Sequence, residues 1–238
     1  MKDFERMTRK DLIVFCLMGV FAGVVIGIGG GAFLYAIASI ESGWGRLVGG
    51  FLFALGMYVI ISFHMRLFTG MIGEIPVMGV KNMWRLPVCL LCNTLGVFFS
   101  AFLLEYSPIS EIVELRAAGL IESKLSAENW GWNALCSGTL CGILINISVW
   151  SAKQAPKRGL SASFGVILPI IVFAFCGFDH SVANMLYFYY LGEFSWRVIG
   201  YALLAVLGNV IGGVMLPFIV FFRDYHRPKP DLQPPTNE

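Results

Sequence analysis

The sequence predicts an all-α integral membrane protein whose six transmembrane helices form two inverted three-helix repeats, and three observations carry that reading. The 238 residues are 57% apolar and only 13% charged, and the mean hydropathy is +0.75, too apolar for an ordinary soluble domain. Six apolar segments can be drawn, at 12–40, 47–78, 86–104, 132–152, 161–191 and 198–222. Each is near or above the ~20 residues that cross a bilayer. Finally, Asn93-Thr94-Leu95-Gly96 in the third segment matches Asn209-Val210-Ile211-Gly212 in the sixth. Segments one to three and four to six therefore read as copies, and an odd number of spans per copy inverts one against the other.

Composition also excludes several classes. The formal charge of +2 is small and the basic residues lie in loops, which argues against nucleic-acid binding. The basic start, MKDFERMTRKDL, leads into apolar sequence with no clear small-residue cleavage site. An uncleaved first helix is expected there. All six cysteines fall in or at the edge of apolar segments, so no disulfide framework is expected. Cys89 and Cys92 form a CxxC inside a span with no further ligand at metal spacing, and read as small packing residues. No metal or cofactor is expected, and no enzymatic constellation is recognisable.

In order, the first span carries Gly19, Gly23 and Gly27, then Gly29 to Gly31, a smooth face for close helix packing. No strand precedes these glycines, so a dinucleotide fingerprint does not fit. The second span is overlong. It meets His64, Arg66, Leu67, Phe68, Thr69 and Gly70 and then Glu74 and Pro76, where the helix is expected to open into a short loop. Residues 105–131 hold five glutamates against Arg116 and Lys124; a short amphipathic helix and a solvated acidic loop both fit.

The fifth span, from Leu160 to Leu191, is the predicted functional centre because it carries Asp179 and His180 side by side near its middle. A charge at membrane depth costs about 2.5–3.5 kcal/mol on insertion scales, so such residues normally face a cavity, a partner or a substrate path. The stretch GFDHSVANM suggests a break: Gly177 ends one half-helix, and the Asp179 carboxylate is the candidate N-cap of the next. Free N–H groups around Asp179 to Val182 would then offer positive dipole to an anion. Aligning the repeats on the two NxxG elements sets His64 against His180.

Residues 1–222 read as one channel domain, with repeats at about 12–104 and 132–222. Residues 223–238, with four prolines, are expected to be a disordered cytoplasmic tail. With the amino terminus inside, the inner segments hold Lys2, Arg6, Arg9, Lys10, Lys81, Arg85, Lys153, Lys157, Arg158, Arg223, Arg227 and Lys229. The outer loops hold only Arg46, Arg116, Lys124 and Arg197. Both termini are thus expected in the cytoplasm, with residues 105–131 external.

These residues resemble the formate/nitrite transporter family over nearly all of the membrane region. The most specific likenesses are GFDHSVANM at 177–185 and LFTG at 67–70, supported by AGVVIGIGG at 22–30, Trp84 with Asn93 and Gly96, Val149-Trp150, and Gly208-Asn209 with Gly212-Gly213. The resemblance implies an aquaporin-like protomer, a homopentamer in the plasma membrane and one pore per protomer. It also implies His180 as the central pore histidine, Thr69 as its hydroxyl partner, Asn184 nearby, and Leu67 and Phe68 shaping a constriction. Three departures stand out. Cys141-Gly142 replaces the family's Cys-Asn, leaving Asn146 one turn on. Arg66 stands where the family has an acid. The pore-side lysine should fall near Ser126, with Lys124 two residues away.

The expected function is passage of a small monovalent anion or its conjugate weak acid (formate, nitrite or hydrosulfide), with protonation at His180. Burial penalises the charged form, so a weak acid gains by taking a proton as it crosses. An aquaporin-like channel for neutral solutes is the alternative, weakened by the absence of an Asn-Pro-Ala sequence. For His180 a purely structural role is the competing reading. Breakage of the helix and burial in lipid favour the pore. Arg66, Lys124 and Asn146 are candidates for the pore or its vestibules.

Overall fold

The computed structural model describes residues 7–40, 42–158 and 160–225, and every regular element among them is helical: α1 (Arg9–Ser39), α2 (Gly43–Ser62), α3 (Phe68–Met71), α4 (Ile75–Met78), α5 (Arg85–Glu105), α6 (Ser110–Ser126), α7 (Trp130–Arg158), α8 (Leu160–Cys176), α9 (Asn184–Leu191) and α10 (Trp196–Tyr225). Among the described residues, five stretches are long and apolar enough to cross a membrane: Arg9–Ser39, Gly43–Ser62, Val80–Glu105, Trp130–Lys153 and Trp196–Arg223. The remaining predicted span is divided between α8 and α9, neither of which is long enough alone. Residues 226–238, where the disordered tail is expected, lie outside the described residues.

The first crossing starts sharply. Thr8 caps α1 by accepting the Asp11 N–H at 3.2 Å, while the Asp11 carboxylate accepts the Thr8 N–H at 2.9 Å. This reciprocal capping box satisfies two donors that the first turn would leave open. At its other end the helix stops before Ser42, and α2 returns.

Two halves are evident from the packing. Helix α1 lies against α5 and α2, α7 lies against α10 and α8, and α2 meets α8 where the halves join. The α1–α5 and α7–α10 crossings are backbone to backbone. A Cβ on Gly96 would sit 1.9 Å from the Val20 carbonyl oxygen, and one on Gly212 would sit 2.0 Å from that of Thr139. Outward faces are apolar, with Leu17, Phe51, Leu203 and Ile219 exposed. Such faces suit lipid or neighbouring protein rather than water.

Each half contains one broken helix held by one asparagine. In the first, Asn93 Oδ1 accepts the Phe68 N–H at 2.8 Å, and its amide donates to the carbonyls of Gly19 and Arg66, both at 2.8 Å. In the second, Asn209 Oδ1 accepts the Ser181 N–H at 2.8 Å, and its amide donates to Gly138 and Asp179, again at 2.8 Å. These identical clamps define the structural register of the repeats. Arg66 matches Asp179, Phe68 matches Ser181, and so Leu67 matches His180. The expected pairing of His64 with His180 is corrected: His64 matches Gly177. The register slips because the chain between the break and the asparagine is longer in the second half than in the first.

The acidic stretch between the halves is a helix, α6, which buries Val113, Ala117 and Ile121 along one face. Those positions recur every four residues, so the amphipathic alternative is the one the chain adopts.

Replacing Gly96 by alanine is expected to destabilise the protein by about 1–3 kcal/mol, because the methyl group must displace backbone. At Gly119 in α6 an added Cβ would meet nothing within 4 Å, and Gly119→Ala should be neutral or stabilising by up to about 1 kcal/mol. Thermal unfolding of the two variants in mild detergent checks the contrast.

Candidate functional site

The centre is assembled from the two breaks. Thr69, at the start of α3, and His180, in the segment joining α8 to α9, are each 1% exposed, and Thr69 Oγ1 lies 3.0 Å from His180 Nε2. His180 Nδ1 accepts the Ala183 N–H at 3.1 Å. An accepting Nδ1 has its lone pair free, so the neutral ring carries its proton on Nε2 and donates it to Thr69. The Thr69 hydroxyl hydrogen is then left available for another acceptor. Phe173 stacks on the imidazole at 5.7 Å between ring centroids, and Phe53 meets it edge-on at 6.3 Å. The ring is therefore fixed by two hydrogen bonds and two aromatic walls.

Asp179 performs a different task from the predicted one. The residue preceding α9 at its N-cap is Ala183, which makes no side-chain capping bond. The Asp179 carboxylate accepts from Lys124 Nζ at 2.6 Å, Asn184 Nδ2 at 2.9 Å and Tyr201 Oη at 2.8 Å, all side-chain donors. Its own N–H donates to Ser137 Oγ at 2.9 Å. The correction has a physical reason: α9 begins only at Asn184, so Asp179 lies too far ahead of it for its side chain to reach the first-turn N–H groups that an N-cap satisfies. Asp179 and Ser181 thus have their N–H groups occupied. Among the described residues, the amides of His180 and Val182, and of Thr69 and Gly70 in the other break, have no hydrogen-bond partner.

A cavity flanks this layer on each side. On the α6 side a space of about 210 Å³ is lined by Arg46, Lys124, Phe53, Phe173, His180 and Asn184, among others. On the side from which α1 starts, a space of about 590 Å³ is lined by Leu67, Gly70, His64, Arg66, Glu74 and Lys153, among others. Leu67 is buried and lines the larger space only, whereas Phe68 is buried and lines neither.

The departures from the family pattern also have places. A Cβ on Gly142 would lie 2.5 Å from the Asn209 carbonyl oxygen, so this position is closed by the α7–α10 crossing and admits no side-chain amide. Asn146 is fully buried one turn on, its Nδ2 3.4 Å from the Thr69 carbonyl and 3.3 Å from that of Gly142, while its Oδ1 has no partner among the described residues. Lys124, not Ser126, reaches the centre; Ser126 bonds back to the Ser123 carbonyl at 3.2 Å. Arg66 stays away from the central layer, with its guanidinium 6.0 Å from the Phe15 ring centroid.

Sequence reasoning missed Tyr201 and Ser137 as partners of Asp179, and Phe53 and Phe173 as walls. It read Asn93 and Asn209 as repeat markers and as points of family likeness, without a bonding role. A polar amide at membrane depth normally bonds across helices, and that rule could have found them. Nothing distinguishes the two phenylalanines from the rest by sequence alone.

Fold and site together define an α-helical membrane protein with a buried hydroxyl–imidazole pair between two cavities. The sequence profile described as "Formate/nitrite transporter" matches residues 2–223, and the chain belongs to that family. It is 26% identical over 234 residues to the Bacillus subtilis protein described as uncharacterized transporter YrhG, covering 89% of this chain and 85% of that one. Identity to the formate channel FocA of Escherichia coli is 24% over 269 residues, covering 93% and 90%. Among solved structures, an FNT family ion channel aligns with a TM-score of 0.74 at 22% identity, covering 92% of each chain. A pentameric formate channel with formate bound aligns at 0.75 and 20% identity, covering 93% of this chain and all, 100%, of that one.

Removing the ammonium from the Lys124–Asp179 pair leaves a carboxylate that is 2% exposed without its cation. Lys124→Met should cost about 3 kcal/mol, the lower end for breaking a buried pair. Adding Asp179→Asn should recover most of it. A double-mutant cycle on thermal unfolding reads the coupling directly.

Proposed function

We propose that this protein is a channel for a small monovalent anion or its conjugate weak acid, with formate as the leading substrate. The observation that carries the reading is the Thr69–His180 contact of 3.0 Å, buried between two cavities. Formate channels among the relatives support the substrate class. The similar pentameric formate channel, together with the apolar outer faces, supports a closed homopentamer with a pore through each protomer.

The chemistry follows from the layer. Arg46 draws an anion into the α6-side cavity, whose inner wall is Phe53, Phe173 and the His180 ring. Apolar walls do not solvate charge, so an anion crossing alone meets a desolvation barrier of about several kcal/mol. The unpartnered amides of the breaks lower that barrier at the centre. His180 lowers it further by supplying a proton through Thr69: the ring takes one at Nδ1, releasing the Ala183 N–H, and passes its Nε2 proton to Thr69 Oγ1 as the Thr69 hydroxyl proton goes to the anion. The neutral acid then passes Leu67, and one proton has accompanied each anion. Asn184 and Lys124 hold Asp179, and with it the backbone that carries His180.

Purified protein in liposomes should carry formate with a flux that rises as external pH falls. Comparison with nitrite and hydrosulfide ranks the substrates. His180→Asn keeps a polar group but no titrating one, and should lose the pH dependence and at least about tenfold in flux, equal to ~1.4 kcal/mol of barrier. A normally assembled His180→Asn channel with the parent's flux, pH profile and proton coupling would make His180 a structural residue.

We also assign both termini to the cytoplasm, as the distribution of basic residues supports. In a background lacking the native cysteines, Glu114→Cys and Pro230→Cys should be labelled by an impermeant reagent from opposite sides. Labelling of both from one side rejects this topology.

A further inference from the structure

The larger cavity contains a histidine that the mechanism above does not use. His64 lies in the first break with φ of 51°, one of two non-glycine residues with positive φ among those described. A left-handed backbone costs an L-residue roughly 1–2 kcal/mol, which glycine avoids. At the matching place in the second half the chain has Gly177, with φ of 74°. The two breaks therefore need the same backbone turn, and only the first places a side chain on it. Strain retained where glycine would serve points to a use for the side chain.

That use is not packing. His64 is exposed, and among the described residues its side chain makes no hydrogen bond, ion pair or ring contact. It lines the 590 Å³ cavity together with the charged groups Arg66 from the same break, Glu74 from the turn after α3 and Lys153 near the end of α7. Tyr58, Ser62 and Ser163 add hydroxyls to the same wall. With a neutral imidazole the two cations exceed the one carboxylate by a single charge; with a protonated one they exceed it by two. Arg66 faces Phe15 and Lys153 faces Trp150 at 5.8 Å, contacts with ring faces that leave both charges uncancelled. The volume is far larger than one small carboxylate, so the anion enters hydrated.

We propose that this cavity is a proton-sensitive binding site for small monovalent anions of the formate type, in which protonation of His64 strengthens binding. A third positive charge in a half-enclosed space should tighten binding by about three- to tenfold. On the channel reading, on which this consequence rests, acid on that side both loads the anion and supplies the proton that leaves with it. Of the two matched positions, Gly177 opens on the α6-side cavity and offers no such group. The pore is thus equipped to sense acid at this mouth through a residue separate from His180.

The test is binding of carbon-13-labelled formate to the purified, full-length protein in detergent, read by ligand-observed NMR at about pH 5.5 and about pH 7.5, either side of the range where imidazole titrates. Asparagine tolerates the left-handed region and does not titrate, and glycine is the residue the other half uses. His64→Asn and His64→Gly should both fold, and His64→Gly should unfold at the parent's temperature or above. Expected is saturable binding that tightens three- to tenfold at the lower pH in the parent, and by less than twofold in both His64 variants. Equal tightening in His64→Asn, or no saturable formate binding by the parent, overturns the proposal. Liposome flux of the same preparations separates the two readings. A parent that binds formate in this His64-dependent way yet conducts none refutes the channel function and leaves the site standing; a parent that conducts while His64→Asn binds like it refutes the site alone.

Discussion

Backbone that leaves a helix at membrane depth must find hydrogen-bond partners within the protein, and the rest of this structure depends on how that demand is met. Asn93 and Asn209 meet it with one side chain each. Both accept one N–H from a broken segment and donate to two carbonyls, one in the break and one in the neighbouring long helix. The glycines at the two helix crossings make this reach feasible, because they let α1 approach α5, and α7 approach α10, at backbone contact. Close crossing, clamp and break form one unit, repeated twice. The unit places Thr69 and His180 in the same buried layer.

On this shared scaffold the two halves carry opposite chemistry. Where the second break has Asp179, a carboxylate neutralised by Lys124 and held by Asn184 and Tyr201, the first has Arg66, a cation in open contact with a cavity. Where the second has His180, the first has Leu67. Where the second turns on Gly177, the first turns on His64. Inverted repeats impose a common backbone, yet each side-chain position remains free to differ, and here the differences make the two mouths of the protein unequal. The α6-side mouth is narrow, with its acid paired. The opposite mouth is wider and is lined by Arg66, Lys153, Glu74 and His64.

Rigidity at the centre is a matter of cross-links between elements. Asp179 ties the second break to α6, α7, α9 and α10 through Lys124, Ser137, Asn184 and Tyr201. His180 is then oriented by Ala183 and Thr69 and enclosed by Phe53 and Phe173. The buried ion pair serves orientation as well as stability, since the desolvation of both charges offsets much of their attraction.

The sequence by itself determined the class of the fold, the number and place of the apolar segments, the two breaks, and the place of Asp179 and His180 at the second of them. Those features are local: hydropathy over about 20 residues, a glycine before a polar pair, and titratable groups where lipid would exclude them. Motif likeness at GFDHSVANM and LFTG added the expected partnership of His180 and Thr69, and the two side chains do meet. What the Asp179 carboxylate binds, which residues of the two repeats truly correspond, whether Gly142 could be anything larger, and that His64 faces a cavity were decided only in three dimensions. Each depends on contacts between residues far apart in the chain. Lys124 and Tyr201 reach Asp179 from separate helices, and a pairing by sequence offset fails when the segment between break and clamp differs in length. Local pattern says which groups must be satisfied in an apolar medium; only the packing of the helices says by whom.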